Sequence, residues 1–184
     1  MINYIKTSLK RKRARRITEE YPHSIINFDL EQDGLIEFAN WENPLVTPIS
    51  LSQSDVDFFR RCSKKGDFVI DIGANIGDTT VPMAIAAGKE GPTLGVDPTP
   101  YVSKSLEATA ALNRDKTNII PVCSAISTEE EEFYFISSEA SFANGGISPT
   151  RESRHGKFIC PDKVKGVNLL DFLNKNHKDL IEKM

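Results

Sequence analysis

Residues 66–80 read GDFVIDIGANIGDTT, and this stretch predicts the fold of the chain. An apolar run over 68–70 ends on Asp71, which is typical of a parallel strand that enters a buried sheet. Gly73 and Gly77 then allow a sharp turn and let a ligand lie against bare backbone. The helix-like segment that follows offers its free N-terminal N–H groups to that ligand. The order of strand, glycine turn and helix therefore predicts a nucleotide-type cofactor site at the carboxyl end of the strand.

Two carboxylates near this turn narrow the choice of cofactor. A dinucleotide fold needs G-x-G-x-x-G, whereas this turn has Gly73 and Gly77 and carries Asp71 before the first of them. A carboxylate repels a pyrophosphate and attracts a cation such as an ammonium or a sulfonium. The next strand-like run, 93–97, ends on Asp97, which is placed to accept hydrogen bonds from the ribose hydroxyls. The pair of acids favours S-adenosylmethionine over NAD.

Four segments of the chain resemble the FkbM-type class I methyltransferases. They are DIGANIG at 71–77, DPTP at 97–100, TNIIPVCSAIS at 117–127 and GVNLLDFL at 166–173. The resemblance extends over residues 34–172, and the first segment is its most specific part. It implies an α/β fold, with a Rossmann-like class I methyltransferase sheet and helices on both faces. The implied function is S-adenosylmethionine-dependent O-methylation of a sugar or small-molecule hydroxyl.

The resemblance also implies which residues hold the cofactor. Asp71 is expected to bind the amino-acid end, Asp97 the ribose, and Ser124 with its neighbour the adenine. The full expected set is Asp71, Gly73, Ala74, Asn75, Gly77, Asp97, Ser124 and Ala125. No general base can be named, so the catalytic residues stay unknown, and the histidines have no spacing typical of a metal site.

The sequence divides into three parts: a basic arm or helix at 1–20, a lead-in hairpin and helix at 21–65, and an S-adenosylmethionine-binding methyltransferase domain at 66–184. In the FkbM family a further core strand with a K-x-D-x-E-G motif follows the late helix, and that motif does not occur before residue 184. We therefore expect an incomplete domain with its C-terminal strands missing. We also expect self-association through the exposed edge of the strand that carries Asp71.

Shorter patterns predict the remaining elements. Asp33-Gly34 predicts a hairpin between 25–30 and 35–38, and Ser52 predicts a helix cap. Beyond the first strand, we expect helices at 78–87, at 101–113 and from 169 onward, strands at 93–97, 118–122, 132–136 and 158–164, and a glycine loop at 141–147.

The composition limits which binding partners and which cellular location we expect. The chain has 184 residues, 39% hydrophobic and 27% charged, with a net charge of −3. That net charge argues against nucleic acid as a partner. No apolar run reaches the roughly 20 residues of a membrane span, and no secretory signal is visible. The three cysteines have no C-x-x-C spacing, which favours buried thiols in a reducing compartment. We therefore expect a cytoplasmic protein.

The start of the chain is strongly basic. Its basic residues are Lys6, Lys10, Arg11, Lys12, Arg13, Arg15 and Arg16. Such a cluster suits nucleic acid, anionic lipid or another anionic partner, and it equally suits a solvated helix or a frayed arm. Tyr4 is the one aromatic residue among them, so stacking on bases has little to use.

Two alternatives to a methyltransferase remain open on the sequence. The first is a catalytically incomplete remnant or subunit that keeps the cofactor pocket and lacks an acceptor site. The second is an NAD(P)-binding Rossmann protein, which the absent third glycine and Asp71 disfavour. Binding assays with the two cofactors separate this second alternative from the others.

Overall fold

The computed structural model describes residues 2–154 and 156–181, which form a mixed α/β fold. The helices are α1 Ile2–Ala14, α2 Gln53–Arg60, α3 Thr80–Ala87, α4 Pro100–Ala111, α5 Leu169–Asn176 and α6 Lys178–Ile181. The strands are β1 His23–Leu30, β2 Gly34–Trp41, β3 Val69–Ile72, β4 Pro92–Asp97, β5 Asn118–Cys123, β6 Ala125–Ile126, β7 Glu132–Ser137, β8 Gly146–Ser148, β9 Phe158–Ile159 and β10 Val164–Val167.

The predicted hairpin is confirmed, since β1 pairs antiparallel with β2 and Leu30 lies opposite Gly34. Gly34 has a φ of 70°, a left-handed conformation that glycine adopts without steric cost. A hydrogen bond joins the hairpin to α4, since the N–H of Ala39 donates to Thr109 Oγ1 at 3.1 Å. The helix predicted after Ser52 is also confirmed, with Asp55 completing a capping box.

A parallel sheet in the order β3-β4-β5 positions the candidate site. Helices cover both of its faces, as the sequence predicts. Buried side chains of α3 and α4 share one apolar cluster with Ile119 of β5. Leu173 of α5 and Leu180 of α6 pack on the other face against Leu94 and Val96. Among the described residues β3 has β4 as its one strand neighbour, and the predicted self-association through this edge stays a prediction.

A second, mostly antiparallel sheet has the order β6-β10-β7-β8 with β9 beside β7. Its strand β7 confirms the strand predicted at 132–136, but the pairing of these strands into a sheet is not among the sequence-based expectations. The single strand predicted at 158–164 is wrong, because the chain bends at Pro161 between β9 and β10. The predicted glycine loop at 141–147 instead runs into β8, which pairs with β7. Gly145 is required there, since a Cβ atom would lie 2.5 Å from the carbonyl oxygen of Ile136.

The expectation of buried thiols holds for Cys160 and is wrong for Cys62 and Cys123, which are exposed. Cys62 lies in the turn that ends α2, and Cys123 lies at the carboxyl end of β5, where the sheet meets solvent. A search of the described residues for a helix long and apolar enough to cross a membrane finds none.

The packing of α5 on the sheet gives a first prediction. Leu173 is 3% exposed and lies in the apolar cluster with Leu94, whereas Leu170 on the same helix is 62% exposed. Leu173→Ala is expected to lower the free energy of unfolding by about 2–5 kcal/mol, because it leaves a cavity in that cluster. Leu170→Ala, the matched control, is expected to change it by less than about 0.5 kcal/mol. Urea unfolding followed by circular dichroism measures both, and equal effects would show that α5 does not cover the sheet.

Candidate functional site

The turn after β3 is tied to the end of the neighbouring strand. The N–H groups of Gly73 and Ala74 both donate to the carbonyl oxygen of Val96 in β4, at 2.8 and 3.0 Å. Gly73 has a φ of 88°, and no atom lies within 4 Å of the place where a Cβ would stand. The turn is therefore fixed on its sheet side and open at Gly73, which leaves room for a ligand next to the backbone.

The second glycine of the turn has a different role from the first. Gly77 has a φ of 100°, and a Cβ there would lie 3.0 Å from the Cδ1 atom of Leu106 in α4. Both Gly77 and the side chain of Ala74 are buried. These two positions therefore form the packing side of the turn, and packing inside the protein accounts for their small size. Contact of a cofactor with them stays a prediction.

Asn75 and Asp97 join the turn to the carboxyl end of β4. Asn75 has a φ of 47°, a left-handed conformation that asparagine tolerates better than most residues. Its N–H donates to Asp97 Oδ2 at 3.0 Å, and its side-chain Oδ1 accepts from the N–H of Ile76 at 2.8 Å. The other carboxylate oxygen, Asp97 Oδ1, accepts from the N–H of Thr99 at 2.8 Å.

Every backbone N–H group from residue 73 to residue 77 thus has a partner inside the protein. The acceptors are Val96 O for Gly73 and Ala74, Asp97 Oδ2 for Asn75, Asn75 Oδ1 for Ile76, and Ala74 O for Gly77. A ligand beside this turn therefore meets no free N–H group at these five positions, and the expected role of the free N–H groups at the start of the following helix stays a prediction. The helix also begins later than the expected residue 78, since α3 starts at Thr80.

Burial raises the pKa of Asp97, which is 8% exposed, while the N–H donors of Thr99 and Asn75 pull it back down. From the sequence, Asp97 is expected to bind the ribose; its role in holding the turn is not predicted. A signal for that role exists, because an aspartate two residues before a backbone N–H often forms an Asx turn.

Asp71 is half-buried at the end of β3. Its Oδ2 accepts a hydrogen bond from Thr80 Oγ1 at 2.7 Å. Burial raises the pKa of Asp71, the Thr80 hydroxyl lowers it, and the charge of Asp78 raises it. Thr80, a buried residue on the first turn of α3, is not among the predicted site residues. Nothing in the sequence distinguishes it from a packing residue.

Asp71 and Asp97 interact electrostatically. Asp71 lies opposite Gly95 in the register of β3 and β4, two residues before Asp97, and its charge contributes to the raised pKa of Asp97. Two acids at one edge of a sheet make a negative patch that favours a cationic group.

Ser124 lies at the same edge of the sheet, because Cys123 pairs with Asp97. Ser124 is buried and lines a cavity of about 290 Å³ that Phe172 of α5 also lines. Asp71, Gly73 and Asp97 do not line this cavity. Ala125 is buried in β6. The structure therefore places Asp71, Gly73, Asn75, Asp97 and Ser124 along one edge, and cofactor contact by any of them stays a prediction.

Within the described part of the chain, no three His, Cys, Asp or Glu side chains lie together in a group that could hold a metal ion.

No family model matches the chain, and no curated protein matches it. Solved structures resemble parts of it. TYW2 of Pyrococcus horikoshii in complex with MeSAdo is 19% identical, with 53% of this chain and 36% of that chain covered and a TM-score of 0.36. Trm5 of Methanocaldococcus jannaschii in complex with adenosine is 19% identical, with 61% and 36% covered and a TM-score of 0.37. The tRNA m1G37 methyltransferase of M. jannaschii is 20% identical, with 61% and 37% covered and a TM-score of 0.38.

The chain spans little more than a third of the length of these proteins. One of them is named as a methyltransferase, and the other two hold MeSAdo and adenosine. None of the three is named as an FkbM-type protein.

The bonds of Asp97 to the turn generate a stability prediction. Asp97→Asn keeps the size of the side chain but replaces one acceptor oxygen by an NH2 group, so the N–H of Asn75 or of Thr99 loses its partner. We expect the free energy of unfolding to fall by about 1–3 kcal/mol, the cost of a buried donor left without an acceptor. Asp115→Asn is the matched control, since Asp115 is exposed and its side chain forms no hydrogen bond with another described residue. Thermal unfolding of both variants measures the difference, and no loss in Asp97→Asn would show that these bonds do not hold the turn.

Proposed function

We propose that this chain is the cofactor-binding part of an S-adenosylmethionine-dependent methyltransferase. The observation that supports it best is the charge and bonding of the turn after β3. Asp71 and Asp97 stand on either side of it, and its N–H groups from 73 to 77 are already engaged. A pyrophosphate needs free N–H groups and no nearby carboxylate, so this turn favours a cationic ligand over a dinucleotide.

The residues fit the cofactor in three respects. The open space beside Gly73 leaves room for the amino-acid end of the ligand. Asp71 uses one oxygen for Thr80 and keeps the other for an ammonium. Asp97 accepts the N–H groups of Asn75 and Thr99 and a hydrogen bond from the Thr99 side chain, and its remaining lone pair can accept a ribose hydroxyl. Ser124 at the end of β5 extends this line of contacts toward the adenine.

When bound, S-adenosylmethionine would supply a methyl group to a nucleophilic oxygen, with the carbon–oxygen bond formed as the carbon–sulfur bond breaks and S-adenosylhomocysteine leaves. The contribution of this chain to that reaction is positional: Asp71 and Asp97 hold the two ends of the ligand against a rigid sheet edge, and correct placement supplies much of the rate of such a displacement. No side chain of the described residues is assigned as a general base.

For the acceptor we propose a sugar or small-molecule hydroxyl, as the FkbM resemblance implies. The solved structures of low similarity include a tRNA methyltransferase, but the acidic net charge of −3 gives no support to a large polyanion at this site. The second candidate function is a cofactor-binding subunit without turnover. Turnover assays on hydroxylated sugars separate the two.

Calorimetry with S-adenosylhomocysteine and with NAD tests the proposal. We expect S-adenosylhomocysteine to bind and NAD to give no measurable heat. Asp71→Asn removes the charge that faces the ammonium and is expected to weaken S-adenosylhomocysteine by about tenfold or more. Asp115→Asn, which removes one negative charge from an exposed site, is expected to change the affinity by less than about twofold. Equal binding of the two ligands would overturn the assignment.

The pH dependence of binding gives an independent prediction. Asp71 attracts an ammonium only when ionised, and burial raises its pKa above the ordinary value of an aspartate. Affinity for S-adenosylhomocysteine is therefore expected to fall as the pH drops through that raised value. Thr80→Val removes a hydrogen bond that lowers this pKa, so its affinity is expected to fall at a higher pH than in the unmodified chain.

Asp71→Asn is the control for this experiment, because it has no charge to lose at position 71. The comparison of the unmodified chain with Thr80→Val keeps both Asp71 and Asp97, whereas Asp71→Asn also removes a charge that raises the pKa of Asp97. Calorimetric titrations across the acid range measure the three profiles. Superimposable profiles for the unmodified chain and Thr80→Val would contradict a direct contact between Asp71 and the ligand.

A further inference from the structure

The C-terminal end of helix α1 contacts the rest of the protein. Ala14 is fully buried, and the carbonyl oxygen of Arg15 accepts from the N–H of Ala140 at 3.3 Å. The Nε of Arg11 donates to the carbonyl oxygen of Pro44 at 3.0 Å. These contacts fix which side of the helix faces the protein.

The opposite side of α1 carries apolar residues that face solvent. Ile5 is nine residues before Ala14, which is two and a half turns of an α-helix and therefore the other side. Leu9 and Lys12 follow Ile5 at helical spacing on that same side. Ile5 is 51% exposed and Leu9 is 60% exposed, and Tyr4 beside them is 80% exposed. Burial of these apolar side chains would require contact with a partner outside the described chain.

Positive charge surrounds these apolar residues. No acidic residue precedes Glu19 in the sequence. Arg13 pairs with Glu19 and Arg15 with Glu139. Their basic neighbours form no ion pair with another described residue: Lys6, Lys10, Lys12 and Arg16. The local charge is thus strongly positive although the whole chain carries −3.

We propose that α1 is a docking helix for an anionic lipid bilayer. Ile5 and Leu9 enter the boundary between headgroups and acyl chains, and the flanking Lys6, Lys12 and Arg16 contact the anionic headgroups. A single-stranded nucleic acid would match the charge but would leave Ile5 and Leu9 in water, and Tyr4 alone offers little stacking. Charge and apolar exposure together therefore favour the membrane surface. This inference is independent of the proposed methyl transfer.

Co-sedimentation of the whole chain with lipid vesicles tests the proposal. We compare vesicles of phosphatidylcholine alone with vesicles in which about a quarter of the lipid is phosphatidylserine. The chain is expected to bind the anionic vesicles at least about tenfold more tightly, and about 0.5 M salt is expected to release much of it.

Three variants separate charge from apolar insertion. Lys6→Gln with Lys12→Gln and Arg16→Gln is expected to weaken binding to the anionic vesicles by at least about tenfold. Ile5→Ser with Leu9→Ser keeps the net charge and is expected to weaken it by about tenfold as well. The matched charge control replaces exposed lysines elsewhere, Lys64→Gln with Lys65→Gln and Lys89→Gln, and is expected to stay within about twofold.

Equal binding to the two kinds of vesicle would overturn the proposal. So would full retention of anionic-vesicle binding by the Ile5→Ser, Leu9→Ser variant, because apolar insertion would then play no part. Gel-shift titration with a single-stranded RNA supplies the remaining arm: tighter binding to RNA than to anionic vesicles, lost only in the charge variant, would assign α1 to nucleic acid instead. Circular dichroism of every variant confirms that a loss of binding is not a loss of folding.

Discussion

The carboxylate of Asp97 connects the parts of the candidate site. One of its oxygens accepts the N–H of Asn75 in the turn after β3, and the other accepts the N–H of Thr99 in the segment that leads into α4. The turn, the end of β4 and the start of α4 therefore keep a fixed relation to one another. Together with the bonds from Gly73 and Ala74 to Val96, these bonds occupy the N–H donors of residues 73–75 in the ligand-free chain.

That constraint determines what the site can recognise. A glycine turn at the end of a parallel strand is often a cradle for phosphate, because its N–H groups are free. Here those groups are used, and what remains open is the space beside Gly73 and the unused lone pairs of two carboxylates. Burial raises the pKa of both acids, so an approaching cation also relieves the cost of keeping them ionised. A backbone geometry that binds dinucleotides in other proteins therefore favours a positively charged ligand here.

Much of this could be predicted from the sequence. The hairpin at Gly34 and the strand that ends near Asp71 follow from local patterns, which do not depend on distant packing. The gathering of Asp71 and Asp97 at one sheet edge follows from the rule that parallel strands end together. The use of the turn N–H groups could not be predicted, because it depends on the distance between the turn and Val96 in the folded chain.

The rest of the fold escaped prediction for a related reason. The second sheet is assembled from short strands whose pairing is long-range, such as the parallel contact of Gly166 with Ala125. The six residues of β7 suffice to predict that strand, but periodicity over the two to four residues of β6, β8, β9 and β10 carries too little signal to show them. Exposure of Cys62 and Cys123 likewise depends on where elements end, and element boundaries are the least certain part of a sequence-based prediction.

The turn from residue 73 to residue 77 has no free N–H group, and this bonding selects against phosphate. Amide hydrogen exchange resolved by NMR, on the ligand-free chain with and without pyrophosphate, tests this selectivity. We expect slow exchange at all five amides and no change in their chemical shifts when pyrophosphate is added. Fast exchange at these amides, or a shift induced by pyrophosphate, would contradict it.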